Sequence, residues 1–161
     1  MARWGDNIAI TPSVLDRLID LDPSASADPP RSRQIGLREL RQSVRRDLEW
    51  LLNARCYGDE DLADDAEMRR SVAFYGIPDI MGMSPKSPAE QKRLSKALES
   101  AIRHFEPRLL DLKVTLDTVG HLDRDLRFRI EARLDVEPTP EPVVFDSVLE
   151  NGSGEFSVVE R

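Results

Sequence analysis

The chain has 161 residues, 40% hydrophobic and 33% charged, a composition that suits one soluble domain with a real core. Its net charge of −7 argues against general nucleic-acid binding, where a basic footprint is expected. The single cysteine, Cys56, excludes an internal disulfide and a cysteine metal cluster.

Residues 1–11 lack the apolar run and cleavage site of a signal peptide, and no stretch approaches the roughly 18 apolar residues of a membrane span. The expected location is the cytoplasm. Residues 13–21 read as a short amphipathic helix capped by Ser13. Residues 22–32, with Pro23, Pro29 and Pro30 among serines, read as a linker. The expected division is therefore an N-terminal arm, 1–35, and an α+β domain, 36–161.

The strongest helix spans residues 36–55, with Leu37, Leu40, Val44, Leu48, Leu51 and Leu52 as its core stripe. Arg38, Arg41, Arg45 and Arg46 lie largely off that stripe, forming either a docking face or a solvated one. Residues 58–68 follow as a solvated acidic loop, because they lack the ligand ladder and central glycine of a calcium loop. SVAFYGIPD, residues 71–79, is a short turn-rich segment between helices. Ser87, Pro88 and Glu90 then predict a helix start with a capping box, and that helix runs to about Phe105.

Glu106-Pro107-Arg108 lies where helical periodicity stops and strand periodicity begins. Pro107 disfavours the helical conformation at Glu106, so the tripeptide makes a stiff corner. Leu110, Leu112, Val114 and Leu116 then alternate with polar residues as a half-buried strand. Residues 125–135 alternate again, with Leu126, Phe128, Ile130, Ala132 and Leu134 facing in. Residues 143–149 and 155–159 complete a hairpin about a turn at 151–154. The prediction is α+β, with N-terminal helices followed by a small, mainly antiparallel sheet and a C-terminal hairpin. The final strand is expected to be an edge with main-chain groups open to a visiting strand, Phe156 and Val158 setting the register and Ser157 between them.

Catalytic chemistry is hard to assemble from these residues. His104 and His121, the only histidines, have no nucleophile or acid at a recognisable spacing, and there is no phosphate loop or zinc signature. Glu49 and Glu106 are the carboxylate pair a glycosidase would need, but Arg108 beside Glu106 opposes a general-acid role. The chain is read as a non-enzyme without catalytic residues, cofactor or metal.

SVRRDLEWLLNAR (residues 43–55), SVAFYGIPD and FEPRLL (residues 105–110) together resemble the baseplate wedge family of contractile injection machines. The early SVLDRL (residues 13–18) is similar to the opening segment of the type VI secretion branch, typified by TssE, rather than to phage tail wedges. Ala73-Phe74, where Leu-Asn is expected, and Ala54, where Thr is usual, depart from the family pattern. The resemblance implies a structural subunit that joins TssF, TssG and TssK in the baseplate and docks the contractile sheath. It implies a wedge-holding role for Glu106, Pro107 and Arg108, and a sheet similar to the strand-exchanging part of the sheath subunit. An anti-adaptor regulatory protein of the same fold and a phage tail wedge protein are the alternatives; a muramidase is a third class.

Overall fold

The structure, a computed structural model, describes residues 13–19, 23–24, 33–57, 65–79, 87–117, 126–150 and 153–161. Short α1 (Val14–Leu18) begins at a reciprocal capping box: Ser13 Oγ accepts from the Asp16 N–H at 3.1 Å, and Asp16 Oδ2 accepts from the Ser13 N–H at 3.2 Å. The apolar stripe of the long helix builds α2 (Arg33–Asn53), burying Leu40, Val44, Leu48, Leu51 and Leu52. Short α3 (Ala66–Arg69) is capped by Asp65, and a single 3₁₀ turn spans Val72–Phe74. α4 (Pro88–Phe105) buries Leu94, Leu98, Ala101 and Ile102.

The start of α4 differs from the sequence reading. Ser87 makes no side-chain cap bond, and Pro88 supplies the pre-set first turn instead. The capping box belongs to Ser13 and Asp16.

Four antiparallel strands follow in the spatial order β1-β2-β3-β4: β1 (Leu109–Asp117), β2 (Leu126–Leu134), β3 (Glu141–Leu149) and β4 (Phe156–Glu160). One face packs against the helices, with α2 over β4 and α4 over β1. Phe128, Ile130, Leu134, Phe145, Phe156 and Val158 lie on that face and are buried. The other face carries charge, and Arg129 there bridges Asp117 at 3.2 Å and Asp146 at 3.3 Å. The fold is thus the α+β arrangement read from the sequence. Asn151 and Gly152 of the predicted turn lie outside the described residues, as do the acidic loop from 58 to 64 and His121.

β1 does not alternate as cleanly as its sequence suggests. Its register shifts between Leu110 and Lys113, and Asp111 adopts φ 51°. This bulge places one extra residue opposite β2, so Leu109 and Leu112 both turn inward while Leu110 is only half-buried. Arg133 bonds Asp111 across the ladder at 2.5 Å.

The SVAFYGIPD segment is pinned to the end of α2. Ile77 N–H donates to Ala54 C=O at 3.0 Å, Cys56 N–H to Ile77 C=O at 3.0 Å, and Tyr57 N–H to Ala73 C=O at 2.8 Å. This pairing brings Gly76, at φ +116°, onto the Ala54 backbone, where an added Cβ would lie 2.5 Å from the Ala54 carbonyl oxygen. Only glycine fits on both counts. Gly76→Ala should lower the unfolding free energy by at least about 1–3 kcal/mol, read from urea melts. An unchanged midpoint would show that the segment is not held against α2 as described.

Candidate functional site

The corner after α4 is built from its cap outward. Glu106 closes the helix, its N–H donating to Ile102 C=O at 2.8 Å, while its own backbone leaves helical geometry at φ −123° and ψ 73°. Pro107 then turns the chain, and Leu109 N–H returns to Glu106 C=O at 3.2 Å. Only Pro107 therefore separates Glu106 from Arg108 along the chain. They meet as a fork: Arg108 Nε donates to Glu106 Oε1 at 2.5 Å and Nη2 to Oε2 at 2.6 Å. Glu106 is only 5% exposed, so this pairing is what makes its burial tolerable.

The same guanidinium reaches α2. Nη2 donates to Asp47 Oδ2 at 2.6 Å and Nη1 to Ser43 Oγ at 3.0 Å. Ser43 passes the contact on to α1, donating to Asp16 Oδ2 at 2.6 Å. Arg46 closes the ring: its Nη2 lies 2.9 Å from Asp16 Oδ1 and 2.8 Å from Asp47 Oδ1, and its guanidinium carbon sits 5.0 Å over the Trp50 ring. One continuous network thus ties α1, α2 and the α4–β1 corner together.

Burial by itself lowers the pKa of Arg108, yet the bonds and charges of Glu106 and Asp47 outweigh it and push the value above the usual arginine range. Tyr75 is pushed up, first by burial and then by the charges of Asp47 and Glu106. For Asp16, burial acts upward. Hydrogen bonds from Ser13, Ser43 and Arg46, with the Arg46 charge, overcome it and hold the carboxyl at about 2.

This arrangement holds charge in place rather than moving protons. Both Glu106 oxygens are taken by Arg108, and Glu49 is paired with Arg45 at 3.0 Å. The two carboxylates nominated from the sequence are each engaged by their own arginine. His104 packs edge-on against Phe105, with ring centroids 4.8 Å apart. Among the described residues no group of three or more His, Cys, Asp or Glu is placed to hold a metal ion, and no helix is long and apolar enough to cross a membrane.

Two sequence expectations about surfaces change. The arginines of α2 are largely spent within the chain: Arg41 on Glu160 at 3.3 Å, Arg45 on Glu49, and Arg46 on Asp16 and Asp47. The outer edge of β4 is also covered. Glu150 N–H donates to Glu155 C=O and Arg161 N–H to Val144 C=O, so by antiparallel alternation the main-chain groups of Phe156 and Val158 point away from β3. Asn53 takes both groups of Phe156: its Nδ2 donates to the C=O and its Oδ1 accepts from the N–H, each at 2.8 Å. Arg45 Nη1 donates to Val158 C=O at 3.2 Å. The Phe156 and Val158 side chains are buried, and Ser157 is half-buried on the opposite face. The edge is therefore closed at Phe156 by the end of α2, and at Val158 its carbonyl is taken from mid-helix by Arg45.

Sequence reasoning identified Glu106 and Arg108 but missed Asp16, Ser43, Asp47 and Asn53. The signal existed in part. Ser43, Arg46 and Asp47 sit at i, i+3 and i+4 beside the apolar stripe, a polar face aimed at a neighbour rather than at water.

A family model described as baseplate wedge protein gp25 matches residues 38–139, more than half of the chain, and that span contains the Glu106–Arg108 corner and its α2 partners. No curated protein matches the chain.

The Asp16 tether makes a pH prediction. Its folded value lies below the ordinary 3.8, so the stabilisation is present above the unfolded value and is lost as pH falls toward about 2. The stability gap between wild type and Asp16→Asn should be constant above about pH 5 and close as the carboxyl protonates. Urea melts across that range measure it. A gap that does not vary with pH would show that the Asp16 charge does not hold α1.

Proposed function

This chain belongs to the baseplate wedge protein gp25 family, and from that premise we propose that it is the TssE-like wedge subunit of a type VI secretion baseplate. It is a structural part of a contractile injection machine. The observation carrying the finer reading is the Glu106–Pro107–Arg108 corner, locked to α2 inside the matched span, together with an N-terminal SVLDRL segment docked on the same network. The N-terminal arm, 1–35, and the domain, 36–161, then act as one wedge-facing unit. The work is done in the cytoplasm, without cofactor or catalysis.

The partners in this reading are TssF, TssG and TssK, with the sheath docking above them. Of the corner residues, Pro107 is exposed and the Arg108 side chain is 20% exposed, whereas Glu106 is buried. A wedge partner therefore meets Pro107 and the rim of Arg108, while Glu106 fixes the guanidinium from behind. For the sheath, Phe156, Ser157 and Val158 remain the proposed contact, but by exchange rather than simple addition. An amide side chain presents the same donor and acceptor as a peptide group, so an incoming strand can replace Asn53 at Phe156 with no net loss of hydrogen bonds.

The test is affinity purification of the tagged full chain from its native cells, with mass spectrometry of what accompanies it. Wild type should recover TssF, TssG and TssK. Pro107→Asp, at an exposed position, should change monomer stability by no more than about 1 kcal/mol yet deplete those partners. Recovery of a one-to-one regulator complex without baseplate subunits would contradict the reading. So would undiminished recovery of TssF and TssG by a folded Pro107→Asp chain.

A further inference from the structure

α2 runs beside the outer edge of β4 in the opposite direction. Arg41 meets the Glu160 carboxylate at 3.3 Å, Arg45 the Val158 C=O at 3.2 Å, and Asn53 the N–H and C=O of Phe156 at 2.8 Å each. Arg55 continues the line to the Gly154 C=O at 3.0 Å. At Phe156 the Asn53 amide stands where the peptide group of a next strand would stand.

The edge beneath these contacts is complementary to itself. Two copies of β4 laid antiparallel about Val158 pair Phe156 with Glu160 and Ser157 with Val159. The main-chain groups of Phe156, Val158 and Glu160 that point away from β3 then face their counterparts. Residues directly opposite share a face, so this register sets the exposed Glu155 of each copy against Arg161 of the other. The Arg161 side chain is 64% exposed and lies 4.0 Å from Asp146, at the limit of an ion pair. Glu160 falls opposite Phe156, so no like charges oppose one another across the pair.

We infer that a second copy of this chain is a partner this edge fits, and that Asn53 is the guard that keeps the two copies apart. With Asn53 in place, a visiting β4 breaks two hydrogen bonds at Phe156 for the two it forms there. Without it, the same groups are left unpaired and favour association across a two-fold axis. The guard keeps the chain monomeric and its edge unconsumed. This rests on the geometry of the edge and not on the wedge reading.

Sedimentation velocity of the purified full chain over a range of concentrations tests it, with urea melts establishing that each variant is folded. Asn53→Ala should form a dimer whose dissociation constant is at least about tenfold below that of wild type. Asn53→Asp still accepts from the Phe156 N–H but cannot donate to its C=O, so it should fall between the two, and it serves if Asn53→Ala does not fold. Glu155→Arg added to either variant should weaken the dimer about tenfold by opposing arginines at both ends, and Arg161→Glu should then restore it. A wild type that dimerises as tightly as Asn53→Ala would overturn the guard. Folded Asn53 variants that stay monomeric, or a dimer insensitive to the Glu155 and Arg161 exchange, would overturn the self-pairing. A monomeric Asn53→Ala chain that recovers more sheath protein from native cells than wild type would also overturn it, and would leave the wedge assignment standing.

Discussion

The guanidinium of Arg108 is the point at which the chain's separate pieces become one body. A helix end, a strand start and the side of a second helix all deliver polar groups to it, and each group is shielded from much of the solvent. Burying a carboxylate such as Glu106 is unfavourable unless a charge and hydrogen bonds replace the lost water. Arg108 supplies both through a planar fork that lysine cannot reproduce. It then uses its remaining donors on Asp47 and Ser43, which fixes the angle at which the α4–β1 corner meets α2. Hydrophobic burial of Leu48, Leu98, Phe128 and Phe145 supplies the bulk driving force, but apolar packing is not directional. The ion network gives the direction.

In the proposed role, that geometry would hold Pro107 between two paired side chains, at a set position with little conformational freedom to lose on binding a partner. The edge of β4 follows a related logic. Asn53 and Arg45 occupy main-chain groups that would otherwise invite indiscriminate strand pairing, the usual hazard of an exposed sheet edge. A visiting strand would have to offer enough main-chain bonding and side-chain packing to displace them.

Much of the fold was legible because its elements announce themselves locally. The α2 stripe, the strict alternation of β2 and the Pro107 break each reflect a periodicity or a steric rule within a few residues. What escaped depends on distant partners. The β1 bulge at Asp111 leaves no glycine in the sequence, and it shows only in the pairing with β2. Ser87 has every sequence mark of a cap yet makes no cap bond, whereas Ser13 and Asp16 form the box. The hairpin edge was read as open because nothing near Phe156 reveals that Asn53, on another element, will meet its backbone. The Glu106–Arg108 corner was singled out from the sequence, but not that its charges would be spent chiefly inside the chain.

The account turns on Arg108 and Asp47 being coupled rather than merely adjacent. A double-mutant cycle with Arg108→Ala, Asp47→Ala and the double variant, each measured by urea unfolding of the full chain, isolates that coupling. The coupling should exceed about 1 kcal/mol, since the second substitution removes a group whose Arg108–Asp47 contact the first has already broken. Effects that add to within about 0.5 kcal/mol would contradict it, and would reduce the corner to a surface ion pair on an independently formed fold.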